Sequence, residues 1–206
     1  MKNESGGSVK TIESICTEFS TGATNALFEK SEHQSREKSF LLTGSSVDLN
    51  GEILVKELNK VVIKEGKDAS RFLLKEGDIV LLAKGNSIRA AYVNSYIADL
   101  KVIASANFII LRPNPKILIG EVLVAYFNSL EGQSCLASIS TGATIKNISL
   151  TSLKKLEIEL PLTEKQQQIA ALFHARNDAY HAAIEFAEQQ KEVATACISE
   201  LMKGAA

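Results

Sequence analysis

Three groups of residues in this chain have types and spacings that invite chemistry, and none of them assembles a catalytic set. The first is His174, Asp178 and His181, which share one face of any helix that carries them. A metal is the natural ligand for such a trio. However, His174 and His181 would stand about 10 Å apart along the helix axis, too far to share one tetrahedral ion, so no metal is expected. The second is Ser140-Thr141-Gly142-Ala143-Thr144, followed closely by Lys146 and Asn147. A glycine among hydroxyl side chains offers backbone N–H and hydroxyl donors to an anion. The segment repeats Ser20-Thr21-Gly22-Ala23-Thr24 residue for residue, although a match of small polar residues also arises by chance. The third is a run of cations: Lys84, Arg89, Lys101, Arg112 and Lys116 are opposed over their stretch only by Asp99.

Other signatures are missing. There is no Gly-x-x-x-x-Gly-Lys-Ser/Thr loop, no strand-linked Gly-x-Gly-x-x-Gly and no Gly-x-Ser-x-Gly elbow. The only prolines are Pro113, Pro115 and Pro161, so the Asn/Asp-Pro-Pro-aromatic motif needed to methylate a base amino group cannot be formed. Catalysis is not expected of this chain. Its three cysteines, Cys16, Cys135 and Cys197, are widely spaced and odd in number, as for unpaired thiols in a reducing cytosol. No run approaches the roughly 18 apolar residues of a membrane span, and Met1–Lys10 is polar rather than signal-like. The expected location is cytoplasmic, away from membranes. A net charge of −1 argues against a generic polyanion binder, so any nucleic-acid contact must rest on local charge.

The elements that must position these groups are dominated by one long helix. From Thr163 to Lys203 there is neither Pro nor Gly, and Ala, Gln, Glu and Lys prevail. Thr163 reads as the N-cap with Gln166 completing a capping box, and Gly204 as the stop. Such a rod would be roughly 60 Å long. A heptad-like apolar seam runs along it through Ile169, Leu172, Phe173, Ala179, Tyr180, Ala183, Phe186, Ala187, Val193, Ala194, Cys197 and Leu201, with Arg176 and Gln190 as polar interruptions that would set register. The stripe cannot bury itself and needs a second helix.

Ahead of the rod, short apolar runs at Phe40–Leu42, Ile53–Leu58, Lys60–Ile63, Asp78–Ala83, Ile88–Val93, Lys101–Ala104, Phe108–Leu111 and Leu156–Leu160 read as strands between glycine turns. Ile119–Leu130 has helical spacing, a second short helix is expected around Gln133–Ile139, and a loop follows at Ser140. The expected fold is α+β: a strand-rich domain over 12–161 with a few short helices, a flexible lead-in over 1–11, and a coiled-coil-forming helix over 162–206.

In order and spacing, several segments resemble a DNA-specificity subunit of a type I restriction–modification system, in a short form with one target-recognition domain. They are Gly77-Asp78-Ile79-Val80-Leu81 continuing to Lys84-Gly85-Asn86, Ala106-Asn107-Phe108 to Pro113, Gly142-Ala143-Thr144-Ile145-Lys146-Asn147-Ile148-Ser149, Leu153-Lys154-Lys155-Leu156 to Pro161, and Glu164-Lys165-Gln166-Gln167-Gln168-Ile169-Ala170. The resemblance covers most of the chain from about Ile12 and is weakest before Leu58. It implies a non-catalytic subunit that binds double-stranded DNA and directs adenine methyltransferase subunits, which carry S-adenosylmethionine, to a bipartite target. A motor nuclease subunit joins for restriction. No cofactor is expected on this chain itself.

Full-length members of that family carry two recognition domains, whereas this chain has one domain and one rod. A homodimer through the rod is therefore expected to restore two domains. Lys84, Gly85, Asn86, Thr141, Thr144, Lys146 and Asn147 are then the candidate phosphate contacts, and Arg89, Lys30, His33, Arg36 and Lys38 the candidate base readers. Thr141–Asn147 equally suits a simple turn cap. The alternative function is a coiled-coil adaptor of a defence complex without its own DNA readout.

Overall fold

The computed structural model describes residues 7–29, 39–142 and 144–204. Around its centre runs an antiparallel four-stranded sheet. β1 (Ser8–Thr11) and a one-turn helix α1 (Ile12–Ile15) lead into β2 (Cys16–Thr21), an edge strand of that sheet. β3 (Ser39–Leu42) and β4 (Asn59–Val61) follow, then β5 (Ile79–Leu82), β6 (Lys84–Gly85) and β7 (Arg89–Tyr92). Helix α2 (Ser95–Asp99), β8 (Val102–Ala104) and β9 (Phe108–Pro113) come next. The central order is β2-β9-β5-β7.

Strands β5 and β9 read Ile-Val-Leu-Leu and Phe-Ile-Ile-Leu with no polar alternation because both faces of the sheet are covered. Ile79, Leu81, Ile109 and Leu111 point into one core with Ile12, Ile15, Leu123 and Phe127. Val80, Leu82, Phe108 and Ile110 point into a second with Leu42, Val47, Ile97 and Val102. A smaller cluster around Leu27, Phe28 and Ile103 packs beside the sheet β4-β3-β8, where β3 pairs parallel with β8.

The second half of the chain supplies α3 (Gly120–Asn128), α4 (Leu130–Ser138), β10 (Ser140–Thr141), β11 (Lys146–Ile148), α5 (Leu150–Lys155), β12 (Glu157–Leu160) and the rod α6 (Thr163–Lys203, 41 residues). The helix expected over 119–130 stops early. The Ser129 hydroxyl donates to the Tyr126 carbonyl and accepts from the Gly132 amide, so it caps α4 and leaves Leu130 93% exposed rather than on an apolar face.

Ser8–Thr11, expected to be flexible, forms β1 and pairs antiparallel with β12 in the register Ser8↔Leu160 to Thr11↔Glu157. This ties the start of the domain to the foot of the rod. Ile53–Leu58 is not a strand. It holds one isolated bridge, Val47↔Ile53, and a 3-10 turn over Val55–Glu57. The segment at Ser140 is no loop either, because β10 and β11 make a hairpin.

The rod has the expected bounds but a different start. Leu162 is its N-cap and no side chain caps it. Leu162, at φ −58° and ψ 154°, lies outside the helix, and Gln166 turns into the domain instead of back to the cap. The buried Gln166 amide accepts from Ile119 N–H at 2.9 Å and donates to the Ile117 and Pro161 carbonyls at 3.1 and 2.9 Å. Phe173 and Asn177 are the other buried residues of α6, so the 166/173/177 face is the one laid on the domain. From Asp178 onward every described residue of the rod is exposed. No helix among the described residues is long and apolar enough to cross a membrane.

Candidate nucleic-acid interface

Two anion-binding candidates some 60 residues apart in sequence meet in one small sheet, ordered β10-β11-β6. The register sets Lys84 opposite Asn147, Gly85 opposite Lys146, and Thr141 opposite Asn147. Directly opposed residues in antiparallel strands project to the same face, so Thr141, Asn147 and Lys84 form one row across all three strands. All three are exposed. The row is held from behind: the Ala83 and Lys84 amides both donate to the Asn107 carbonyl, at 2.9 and 3.2 Å, and Ile148 N–H donates to the Ala83 carbonyl at 2.9 Å.

Lys146 belongs to the other face of the sheet, with the buried Ile148, and is half-buried. Exposed Asn86 lies in the bend after β6. Gly142 sits at φ +89°, and a Cβ there would meet the Ile145 carbonyl oxygen at 2.2 Å, so the hairpin can turn only through glycine. The turn sets Thr144 and Ile145 out into solvent, Ile145 being 57% exposed. The Thr141 hydroxyl donates to the Asn147 carbonyl across the hairpin at 3.1 Å, so that oxygen also braces the turn.

The first copy of the Ser-Thr-Gly-Ala-Thr repeat has a different role. Gly22 and Ala23 are buried at the end of β2, where a Cβ on Gly22 would meet the Ser105 carbonyl oxygen at 2.1 Å. It is a packing joint, and the repeat does not mark two equivalent sites.

Arg89, expected as a base reader, is drawn into the fold. It is half-buried on β7, and its Nη2 donates to the Gly44 carbonyl at 2.9 Å. Lys30, His33, Arg36 and Lys38 lie outside the described residues. Arg112, noted as part of the basic run, makes a bidentate pair with the fully buried Asp78 at 2.7 and 3.0 Å and also meets Glu18. Donating hydrogen bonds to the Asp78 carboxylate raises the guanidinium pKa further, so this charge is structural.

His174 and His181 do not face one another's ligand position. His174 Nε2 lies 2.9 Å from Glu121 Oε1 on α3, and His181 Nε2 lies 2.6 Å from Glu52 Oε2. No cluster of three or more metal-ligating side chains occurs among the described residues. Burial pushes the Cys16 thiol up to about 12, as expected for an inert core residue.

The seam residues of α6 divide into two sets. Phe173 is 6% exposed and packs against the main core, with Ile169 partly buried beside it. Arg176 stacks over Phe173 and donates to the Asn50 carbonyl and to Asn177 Oδ1. The expectation that Phe173 faces a partner helix is thereby corrected, because the foot of the rod packs on its own domain; Arg176 stays exposed while bonding within the chain. Leu172, Ala179, Tyr180, Ala183, Phe186, Gln190, Val193, Cys197 and Leu201 remain exposed, with Ile184, Ile198 and Met202 alongside. Sequence reasoning missed Asn128. Its amide accepts from Ala90 N–H at 2.9 Å and donates to Ala90 C=O at 2.8 Å, sealing the β7 edge of the main sheet as a further strand would.

This combination of a doubly covered antiparallel sheet, a small polar sheet at its flank and a projecting rod agrees with the sequence comparison. The type I restriction modification DNA specificity domain matches residues 7–193, and the chain belongs to that family. No curated protein matches it. Among solved structures, one described in work on complex assembly and conformational transition of the type I R–M system aligns with a TM-score of 0.61 at 19% identity, over 91% of this chain and 46% of the other. The HsdS subunit from Thermoanaerobacter tengcongensis aligns with a TM-score of 0.57 at 18% identity, over 93% and 47%. The chain thus spans a little under half the length of the proteins it matches.

Proposed function

We propose that this chain is the DNA-reading subunit of a type I restriction–modification complex, itself without catalytic activity, which brings adenine methyltransferase subunits and their S-adenosylmethionine to a bipartite target. The observation that carries the reading is the exposed row Thr141–Asn147–Lys84, which sets amide and ammonium donors on one face, braced by the Thr141 hydroxyl, without an intervening acid. Such a row suits successive phosphate oxygens, with the ammonium providing the charge and the neutral Asn147 amide the register. Base discrimination then falls to neighbouring loops.

The apolar stripe left uncovered on α6 suits a second copy of the chain. A two-fold pair of rods carries two recognition domains and so reads two inverted half-sites with a fixed spacer. A motor nuclease is a further partner of the assembled complex. The deciding experiment maps N6-methyladenine across the source genome with and without this gene. Loss of methylation at one interrupted palindromic motif is the expected result, and unchanged methylation would remove the proposal.

A further inference from the structure

The rod lies on α3 at its foot, through Gln166, Ile169 and the His174–Glu121 contact, and is fastened beyond that by one short loop in two layers. Asp48 organises the loop: its carboxylate accepts from the Asn50 and Glu52 amides at 2.9 Å each, and its own amide donates to the Glu52 carbonyl at 3.1 Å. Gly51, at φ +84°, runs so close beneath the rod that a Cβ would meet Val124 Cγ1 at 2.6 Å and Phe173 Cε2 at 3.2 Å. That is the buried layer, and with Gln166 it holds the foot of the helix.

The outer layer is polar. Arg176 reaches the Asn50 carbonyl from above the Phe173 ring, and His181 meets Glu52 Oε2 at 2.6 Å. Beside them an open cleft of about 480 Å³ separates the loop from the rod, bordered by Ile53, Lys56, Tyr92, Phe173 and Asn177. Apolar packing therefore does not continue up the helix, and above Phe173 the rod is held by polar contacts, His174 to Glu121 on α3 and then Arg176 and His181 to the loop.

Leverage makes such contacts matter. On a rod of roughly 60 Å, a tilt of about 5° at the foot moves the far end by about 5 Å, more than one base-pair step of about 3.4 Å. Partly exposed ion pairs add little to folding free energy. The side chain of His181 is 56% exposed, so its pair with Glu52 is poorly placed to hold the fold and well placed to hold an angle.

We infer that the Asn50–Glu52 loop is an angle lock. Arg176 and His181 are positioning residues that fix the direction in which the rod leaves the recognition domain, and through it the separation and rotational phase of the two DNA half-sites. The inference rests on the reading of paired rods given above. It changes the role of Arg176, which acts on its own domain and not on the register between helices.

The test has a DNA-free arm and a DNA arm. Spin labels on the exposed Cys197 of the rod and on Ser45→Cys, in a Cys135→Ala background with excess unlabelled chain, report the intrachain distance distribution. A narrow distribution that broadens in Arg176→Ala/His181→Ala, at unchanged circular dichroism, is the expected outcome. The single variant His181→Ala serves if the double variant misfolds. In the second arm, duplexes carrying two inverted half-sites selected from a random library are offered with spacers stepped by one base pair. The double variant should accept neighbouring spacers that the parent rejects, with unchanged affinity for a single half-site. A variant that keeps both the narrow distance and the parent's single spacer overturns the lock. A parent indifferent to spacer length overturns the paired-rod reading instead, and the lock's hold on the angle is then judged by the distance arm.

Discussion

Lys84 and Arg112 are both cations of one basic stretch, yet the structure gives them opposite work. Lys84 projects freely beside Asn147, while Arg112 is bound to the buried carboxylate of Asp78. Lys84→Ala is expected to weaken binding to all DNA sequences alike and to lower the slope of log affinity against log salt by about one, as measured by a salt titration on unrelated duplexes. Asp78→Ala should instead leave Arg112 without its main partner and cost about 3 kcal/mol of stability, read by denaturant unfolding. The thiols offer a third contrast. The raised pKa of Cys16 keeps it protonated throughout the neutral range, so alkylation of native protein at pH 8 should reach the exposed Cys197 well before Cys16. Mass spectrometry of the modified peptides checks the order. None of these assignments could be read from charge alone, because burial and partner, not residue type, separate a structural guanidinium from a solvent-facing ammonium.

Elements differed in how far their sequences announced them. The rod was legible to the residue, since forty-one positions without Pro or Gly admit little else. Its capping was not, because the geometry of Pro161 and Leu162 and the pull of the domain on Gln166 are tertiary effects. β5 and β9 were legible as continuous apolar runs. The sheet β10-β11-β6 was not: strands of two or three residues carry no periodicity, and the pairing of 84–85 with 146–147 is long-range. The seam on α6 was read as one stripe although it is two, an inner face on the domain and an outer face in solvent. This division predicts unlike outcomes for two phenylalanines. Phe173→Ala should destabilise the fold by about 3 kcal/mol through a cavity beneath the rod. Phe186→Glu, at a position 63% exposed, should leave the unfolding transition in place and abolish self-association in sedimentation at micromolar concentration.

For the molecule as a whole, a compact domain carries the exposed Thr141–Asn147–Lys84 row, and a rod longer than the domain requires carries an uncovered apolar stripe. Two such chains related by a two-fold axis would present the row twice in opposite senses. The pairing of β1 with β12 adds a consequence of another kind. Because Ser8 and Leu160 are register partners, the two ends of the recognition domain lie only about 5 Å apart. The domain's path is therefore nearly a closed circle, and the rod is attached at the point of closure. A circular permutant in which a few residues bridge Leu160 to Ser8, with new ends opened in an exposed turn such as that at Gly66, should keep both cores and lose only the covalent order of domain and rod.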